Sequence, residues 1–234
     1  CTDVRNPSKP EEAGRWWMPG LMEGDAADPP PRHPVFNSGF RAHNTNVYPE
    51  RPDRVYLAYL DGGMFILDIS DKANPKPVSH WNPHPPHNGF MHTVLPLLSR
   101  DLLIVTDECI RDGGEDWPKL TWVVDARDEN NLVPISTLPI PPVEEFRNRG
   151  GRYGPSYRSD TIVFATFFNG GVRAFDTSNP FQPTEIAHFV PENPEGSRAG
   201  ACQINDVYVD ENRICYCVDR STGGLYILEM EVEI

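Results

Sequence analysis

Gly62-Gly63-Met64-Phe65-Ile66-Leu67-Asp68 decides the architecture, because near-copies of it return along the chain. They are Lys119-Leu120-Thr121-Trp122-Val123-Val124-Asp125, Gly170-Gly171-Val172-Arg173-Ala174-Phe175-Asp176 and Gly223-Gly224-Leu225-Tyr226-Ile227-Leu228-Glu229. The closing acids stand 57, 51 and 53 residues apart (68 to 125, 125 to 176, 176 to 229). Each copy is a turn followed by alternating side chains, which is the period of a strand.

The surroundings of the first copy extend the reading to a whole unit. Asn44-Thr45-Asn46-Val47-Tyr48 forms a short strand and Pro49 to Asp53 a turn. Val55 to Leu60 forms a second strand, and Asp61-Gly62-Gly63 a tight hairpin of the Asp-Gly type. Met64 to Ile69 is the third strand and Val78-Ser79-His80-Trp81 an outer fourth, entered through Asn74-Pro75-Lys76-Pro77 where proline is tolerated at a sheet edge. Leu102–Asp107, Thr161–Thr166 and Ile214–Asp219 repeat the second-strand pattern. Units of about fifty residues with four short strands each are the signature of propeller blades. The fold class is therefore all-β, a β-propeller of four-stranded antiparallel blades. One domain spans 1–234, with blades at 43–81, 90–138, 155–189 and 201–234 and the tail of an incomplete blade at 1–17. Thr2-Asp3-Val4-Arg5-Asn6-Pro7 matches the segments just after the other copies, so the chain reads as a piece of a longer protein with a larger ring. Alternation predicts burial of Phe65, Leu67, Val123, Phe175 and Ile227. Asp68, Asp125 and Asp176 are expected to close turns.

These phrases resemble the LVIVD-repeat family, bacterial and archaeal proteins expected to form β-propellers. Phe65-Ile66-Leu67-Asp68-Ile69-Ser70-Asp71 and Trp122-Val123-Val124-Asp125-Ala126-Arg127-Asp128 carry the resemblance most closely. It implies the fold more strongly than an activity, because many propellers only bind. Members that are cell-surface proteins imply an outside location.

Composition narrows the partners. With 34 acids against 21 bases the net charge is −13, which disfavours nucleic acid, whose binding requires a basic surface. No apolar run reaches the roughly 18 residues of a membrane-spanning helix. The five cysteines (Cys1, Cys109, Cys202, Cys215, Cys217) include no CxxC and read as reduced, mostly buried thiols. Cys215 and Cys217 share one face of a strand too extended for an easy bridge. The thiols favour the cytoplasm and the family resemblance the cell surface or secretion.

Two histidines, His43 and His92, open innermost strands, which in a propeller line the central channel. Imidazoles brought together there can hold one transition metal ion, zinc, copper or iron, with a carboxylate such as Asp107 completing the set. Asp61, Glu108, Asp206 and Asp219 are further carboxylate candidates. Gln203 stands where His43 stands in its own blade, thirteen residues before the equivalent tyrosine (203 to 216, 43 to 56), and is a candidate ligand-binding residue. His80 and His188 hold equivalent outer-strand positions and read as structural, and His84 and His87 as solvated loop residues. Insertions at 18–41, 110–118 and 139–157 are the long loops in which sites are usually built. Arg147, Arg149 and Arg152 in the third could clamp an anion, or balance Glu144 and Glu145.

Three functions fit these features. The first is a ligand- or protein-binding propeller with its site at the channel and top-face loops. The second is a metal-dependent enzyme acting on a small organic substrate, and the third a structural cell-surface module.

Overall fold

The computed structural model describes residues 1–111, 116, 118–139 and 161–231. Among them there is no α-helix; strands carry the structure, with one 3-10 turn at Leu98–Arg100. Strands β1 (Thr2–Asp3) and β2 (Glu11–Glu12) pair as a small hairpin. β3 (Thr45–Tyr48), β4 (Arg51–Ala58), β5 (Met64–Asp68) and β6 (Lys76–Trp81) form a four-stranded sheet in chain order. β7 (Met91–Leu97), β8 (Leu102–Asp107), β9 (Thr121–Asp125) and β10 (Val133–Thr137) form a second. β11 (Ile162–Thr166), β12 (Val172–Asp176) and β13 (Thr184–Phe189) make a three-stranded sheet, as do β14 (Ile204–Val209), β15 (Ile214–Asp219) and β16 (Gly224–Glu229). Every strand pair with a recorded register is antiparallel. These are blade-type sheets, and the fold is a β-propeller.

The chain divides into two compact units, residues 1–94 with 128–132 and residues 95–127 with 133–234. In the first, the second half of β4 (residues 55–58) and residues 64–67 of β5 are apolar on both faces and buried, whereas β6 is half exposed and carries Pro77 at the edge. Val55, Leu57, Tyr59, Phe65, Leu67 and Ile69 form one cluster, and Trp16, Met18, Leu21 and Phe40 pack onto it. Each of the larger side chains contributes about 2 kcal/mol by leaving water. In the second unit, the β11–β13 and β14–β16 sheets pack face to face through Ile162, Phe164, Val172 and Ala174 against Val207, Val209, Cys215 and Cys217.

Three local expectations are revised. The turn after β3 is shorter than 49–53, since Tyr48 pairs with Arg51 and Pro52 lies within β4. The hairpin after β4 is not a two-residue Asp-Gly turn. It spans Tyr59 to Gly63 and places Leu60 at φ 46°, and the corresponding loop of the third sheet places Phe168 at φ 48°. Ile227 is 63% exposed although Phe65, Leu67, Val123 and Phe175 are buried. It lies in a row with Tyr208 and Tyr216 on the uncovered face of the last sheet, while Tyr226 and Leu228 on the other face pack onto the β11–β13 side. The alternation is present; the buried phase belongs to its neighbours.

The acids behave as turn closers. Asp68, Asp125 and Asp176 each accept the amide two residues on, at 2.8, 3.0 and 2.7 Å, and Asp3 does the same for Arg5 at 3.0 Å. This is the Asx turn, a side chain substituting for a backbone acceptor.

The turn glycines supply a comparison within one molecule. Gly63, Gly171 and Gly224 hold equivalent positions at φ 81°, 75° and 79°. A Cβ on Gly63 would lie 2.5 Å from the Trp81 carbonyl oxygen and one on Gly171 2.1 Å from that of Phe189, because an outer strand passes there. Around Gly224 none of the described residues comes within 4 Å of that position. Chemical denaturation should show Gly224→Ala costing about 1 kcal/mol, the strain of the left-handed backbone alone. Gly171→Ala should cost several times more, having to displace β13 as well.

Candidate functional site

In the first unit, the chain entering β3 and the start of β7 bring two imidazoles together. His43 donates its amide to Ala58 at 2.8 Å, and its ring lies 4.3 Å from that of His92, centroid to centroid. The Asn44 amide oxygen sits 3.0 Å from His43 Nδ1 and can only accept, so that nitrogen carries the proton. The Asn44 side chain in turn donates to Thr93 Oγ1 at 2.8 Å, and Thr93 Oγ1 lies 2.7 Å from His92 Nδ1. Both rings are thus oriented through Nδ1, the arrangement that fixes a tautomer and aims Nε2 elsewhere. His92 is buried and His43 half-buried.

The other histidines serve the scaffold. His80 stacks on Phe65 at 4.2 Å and its Nε2 meets the Gly62 carbonyl at 2.7 Å. His188 bonds Glu185 at 2.9 Å. His84 is more engaged than a solvated residue, because its Nδ1 accepts the Gly89 amide at 2.9 Å and its ring lies 5.3 Å from His33. The 18–41 insertion covers a sheet face with Met18, Leu21 and Phe40, and Asp25 pins it by accepting from Trp17 Nε1 and the Gly20 and Met22 amides.

Of the candidate carboxylates, Asp61 is engaged by the Ser38 and Gly39 amides at 2.6 and 2.8 Å. Asp219 is likewise engaged, by the Gln203 and Ser221 amides at 2.6 and 2.7 Å. Asp206 is exposed. Asp107 and Glu108, in the second unit, are buried at the end of β8. Asp107 is 1% exposed; Trp122 Nε1 donates to its Oδ2 at 3.3 Å, while its Oδ1 has no hydrogen-bond partner among the described residues. The hydroxyls of Thr106 and Thr121, register partners on β8 and β9, are buried without such a partner too. Gln203, 2% exposed, donates Nε2 to the Cys202 carbonyl at 2.8 Å and leaves Oε1 without a partner among the described residues. Nearby in sequence to Asp107, Lys119 and Asp116 form a buried ion pair at 3.7 Å, and Asp116 also accepts the Cys109 thiol and two amides. Sequence reasoning missed this pair, since nothing in the spacing announces a buried lysine. Arg147, Arg149, Arg152, Glu144, Glu145, Asp112, Glu115 and Trp117 lie outside the described residues, as does the start of the third blade at 155–160.

A second feature was only partly legible. A cavity of about 380 Å³, including its open mouth, lies between the β11–β13 and β14–β16 sheets. Phe164, Val172, Ala187, Phe189, Leu228 and Met230 give it an apolar lining, with the Cys215 thiol in its wall. The Cys215–Cys217 alternation pointed to this face, but no local pattern marks a gap between two sheets. Among the other thiols, burial pushes Cys202 up to about 11.

Desolvation raises Asp107 from the usual carboxylate value to about 6, against the opposing pull of Lys119. Its folded pKa exceeds its unfolded one, so the native state binds the extra proton between about pH 4 and 6. Its contribution to stability is therefore greatest below about pH 4 and is lost as pH rises through about 6. Equilibrium unfolding of Asp107→Asn across about pH 4 to 8 should show that part of the slope removed. The variant should gain most over the parent at about pH 7 and above.

Residues 53–82 match the family model described as LVIVD repeat. No curated protein matches the chain. Among solved structures, the β-propeller domain of Cps50 (Swd1) from Myceliophteria thermophila is similar at 12% identity and a TM-score of 0.54, over 83% of this chain and 52% of that one. A structural genomics protein of unknown function from Bacteroides thetaiotaomicron aligns at 15% identity and a TM-score of 0.49, over 79% of this chain and 44% of that one. The chain thus spans about half the length of these structures. At such identities the likeness concerns fold alone. Residues 53–82 thus carry an LVIVD repeat, and the chain has a β-propeller fold.

Proposed function

We propose that the chain is a binding propeller whose ligand is taken by polar groups at the ends of its inner strands, without chemical conversion. The observation that carries this reading is the pair of buried acceptors, Asp107 Oδ1 and Gln203 Oε1, that have no partner among the described residues. Buried polar atoms are nearly always satisfied, and each one left over costs about 1–3 kcal/mol unless water or a ligand supplies the bond. Both atoms accept, so the fitting ligand presents N–H or O–H donors, as an amine, a polyol or a peptide segment does. Gln203 is held at Nε2 by the Cys202 carbonyl, which fixes where its oxygen points.

A panel of small amines, polyols and short peptides, screened by thermal shift on the purified chain, tests the reading. A compound that stabilises the parent should lose its effect in Gln203→Leu or Asp107→Asn, which keep size and remove one acceptor or the charge. Shifts unchanged in both variants, or none across the panel, would count against it.

The His43–His92 contact favours a second reading, a metal-dependent enzyme holding one zinc, copper or iron ion at these rings. The oriented Nδ1 atoms support it, because an imidazole whose Nδ1 is fixed presents Nε2 as the ligand atom. Such an ion would act as Lewis acid or redox centre on a small organic substrate. Elemental analysis after dialysis against each metal separates the readings. One equivalent retained by the parent and lost in His43→Ala supports the enzyme, whereas equal retention in both proteins contradicts it.

A further inference from the structure

We propose that the outer edge of β16 accepts an extended segment of a different protein, which adds to the last sheet as its fourth strand. In the first and third sheets the strand equivalent to β16 is paired on both sides, β5 between β4 and β6 and β12 between β11 and β13. Among the described residues β16 pairs with β15 alone. The turn glycines register the same difference. The Cβ positions of Gly63 and Gly171 are met at 2.5 and 2.1 Å by the last carbonyl of an outer strand, whereas none of the described residues comes within 4 Å of that of Gly224. A strand edge of this kind offers main-chain donors and acceptors to an incoming strand.

The two outer strands show what fits. Both run antiparallel, both shift register at the same point, and both end on a histidine and an aromatic residue. His80 and Trp81 face Phe65 and Met64, and His188 and Phe189 face Arg173 and Val172. At the opposite end Lys76 faces Asp68 and Thr184 faces Asp176. Carried over to β16, this register sets an aromatic residue against Leu225, a histidine against Tyr226, a small residue against Ile227 and a basic one against Glu229. Leu225 and Ile227 are 58% and 63% exposed, so the aromatic ring has apolar surface to cover. The histidine meets a ring at Tyr226, as His80 meets Phe65 at 4.2 Å, and the basic residue meets the exposed Glu229 carboxylate. Main-chain bonds supply the affinity in such additions, and cross-strand pairs of this kind the selectivity.

A second copy of the chain fits less well. Its strands of this pattern are β6 and β13, whose final carbonyls already lie against Gly63 and Gly171. The group required beside Gly224 is therefore engaged in a folded copy, and two chains of net charge −13 repel each other. The occupant is an extended segment of another polypeptide, basic at its first residue and His-aromatic at its last two.

The probe is a dye-labelled peptide of the β6 sequence, residues 74–82, titrated into the full chain and followed by fluorescence anisotropy. One peptide should bind per chain and slow amide exchange at Leu225 to Leu228. Gly224→Ala should weaken binding by about tenfold or more, because the added Cβ falls where the incoming carbonyl must lie. Gly24→Ala carries the same backbone strain, at φ 88° with none of the described residues within 4 Å, and should bind as the parent does. A peptide carrying His80→Ala should bind less tightly. If Gly224→Ala fails to fold, exchange in the parent decides, and amides of β16 left unprotected by saturating peptide contradict the proposal. Absence of saturable binding, equal binding by the parent and Gly224→Ala, or a loss confined to Gln203→Leu would also overturn it. So would a dimer of the chain alone, seen by sedimentation equilibrium and dispersed by Gly224→Ala, which would give the edge to a second copy.

Discussion

A backbone bridge at the tip of two hairpins, those of Leu60 and Phe168, ties each to the start of a following strand, and the placing of the strand starts depends on it. Leu60 and Phe168 sit in the left-handed region, which costs a residue other than glycine on the order of 1 kcal/mol or more. Both are fully buried, and their carbonyls accept the Gly63 and Gly171 amides within the hairpin at 3.2 and 3.1 Å while also reaching a following strand. The Leu60 carbonyl accepts the Met91 amide at 3.1 Å, where β7 begins. Phe168 exchanges two bonds with Ile204, at 3.1 and 3.0 Å, where β14 begins.

Side chains reinforce the same joints. Asn44 and Asn46 donate from β3 and the residue before it to Thr93 Oγ1 and the Val94 carbonyl, at 2.8 and 2.9 Å. Thr166 reaches the Asn205 carbonyl at 3.3 Å. Farther from the inner strands, Arg51 and Arg54 share Glu129, and Arg100 bonds Thr177 and the Ser178 carbonyl. A strand start fixed in this way carries its first side chains with it. His92 follows Met91 directly, and Gln203 precedes Ile204, so one imidazole of the second reading and one of the two binding acceptors stand beside the bridged positions.

The period-two pattern and the fifty-residue recurrence were enough to find the blades, because they follow from how a strand presents its faces. They also singled out His43 and His92, which occupy the same place in successive units and whose rings lie 4.3 Å apart. What stayed hidden depends on partners distant in sequence. Ile227 alternates as Phe65 does, and only the absence of a neighbouring sheet over its face among the described residues makes it exposed. Leu60 and Phe168 look like ordinary apolar residues near the end of a strand, and nothing local reveals a positive φ. The Lys119–Asp116 pair and the cavity beside Cys215 arise from packing between segments, which composition and spacing do not encode.

Amide hydrogen exchange on the native chain tests the bridging claim most directly. If these bonds join the sheets, the amides of Met91, Phe168 and Ile204 should exchange as slowly as those of central strands such as β4 and β12, despite lying at strand starts and a loop tip. Exchange at these three positions as fast as at the exposed turns following Asp68 and Asp176 would contradict the account.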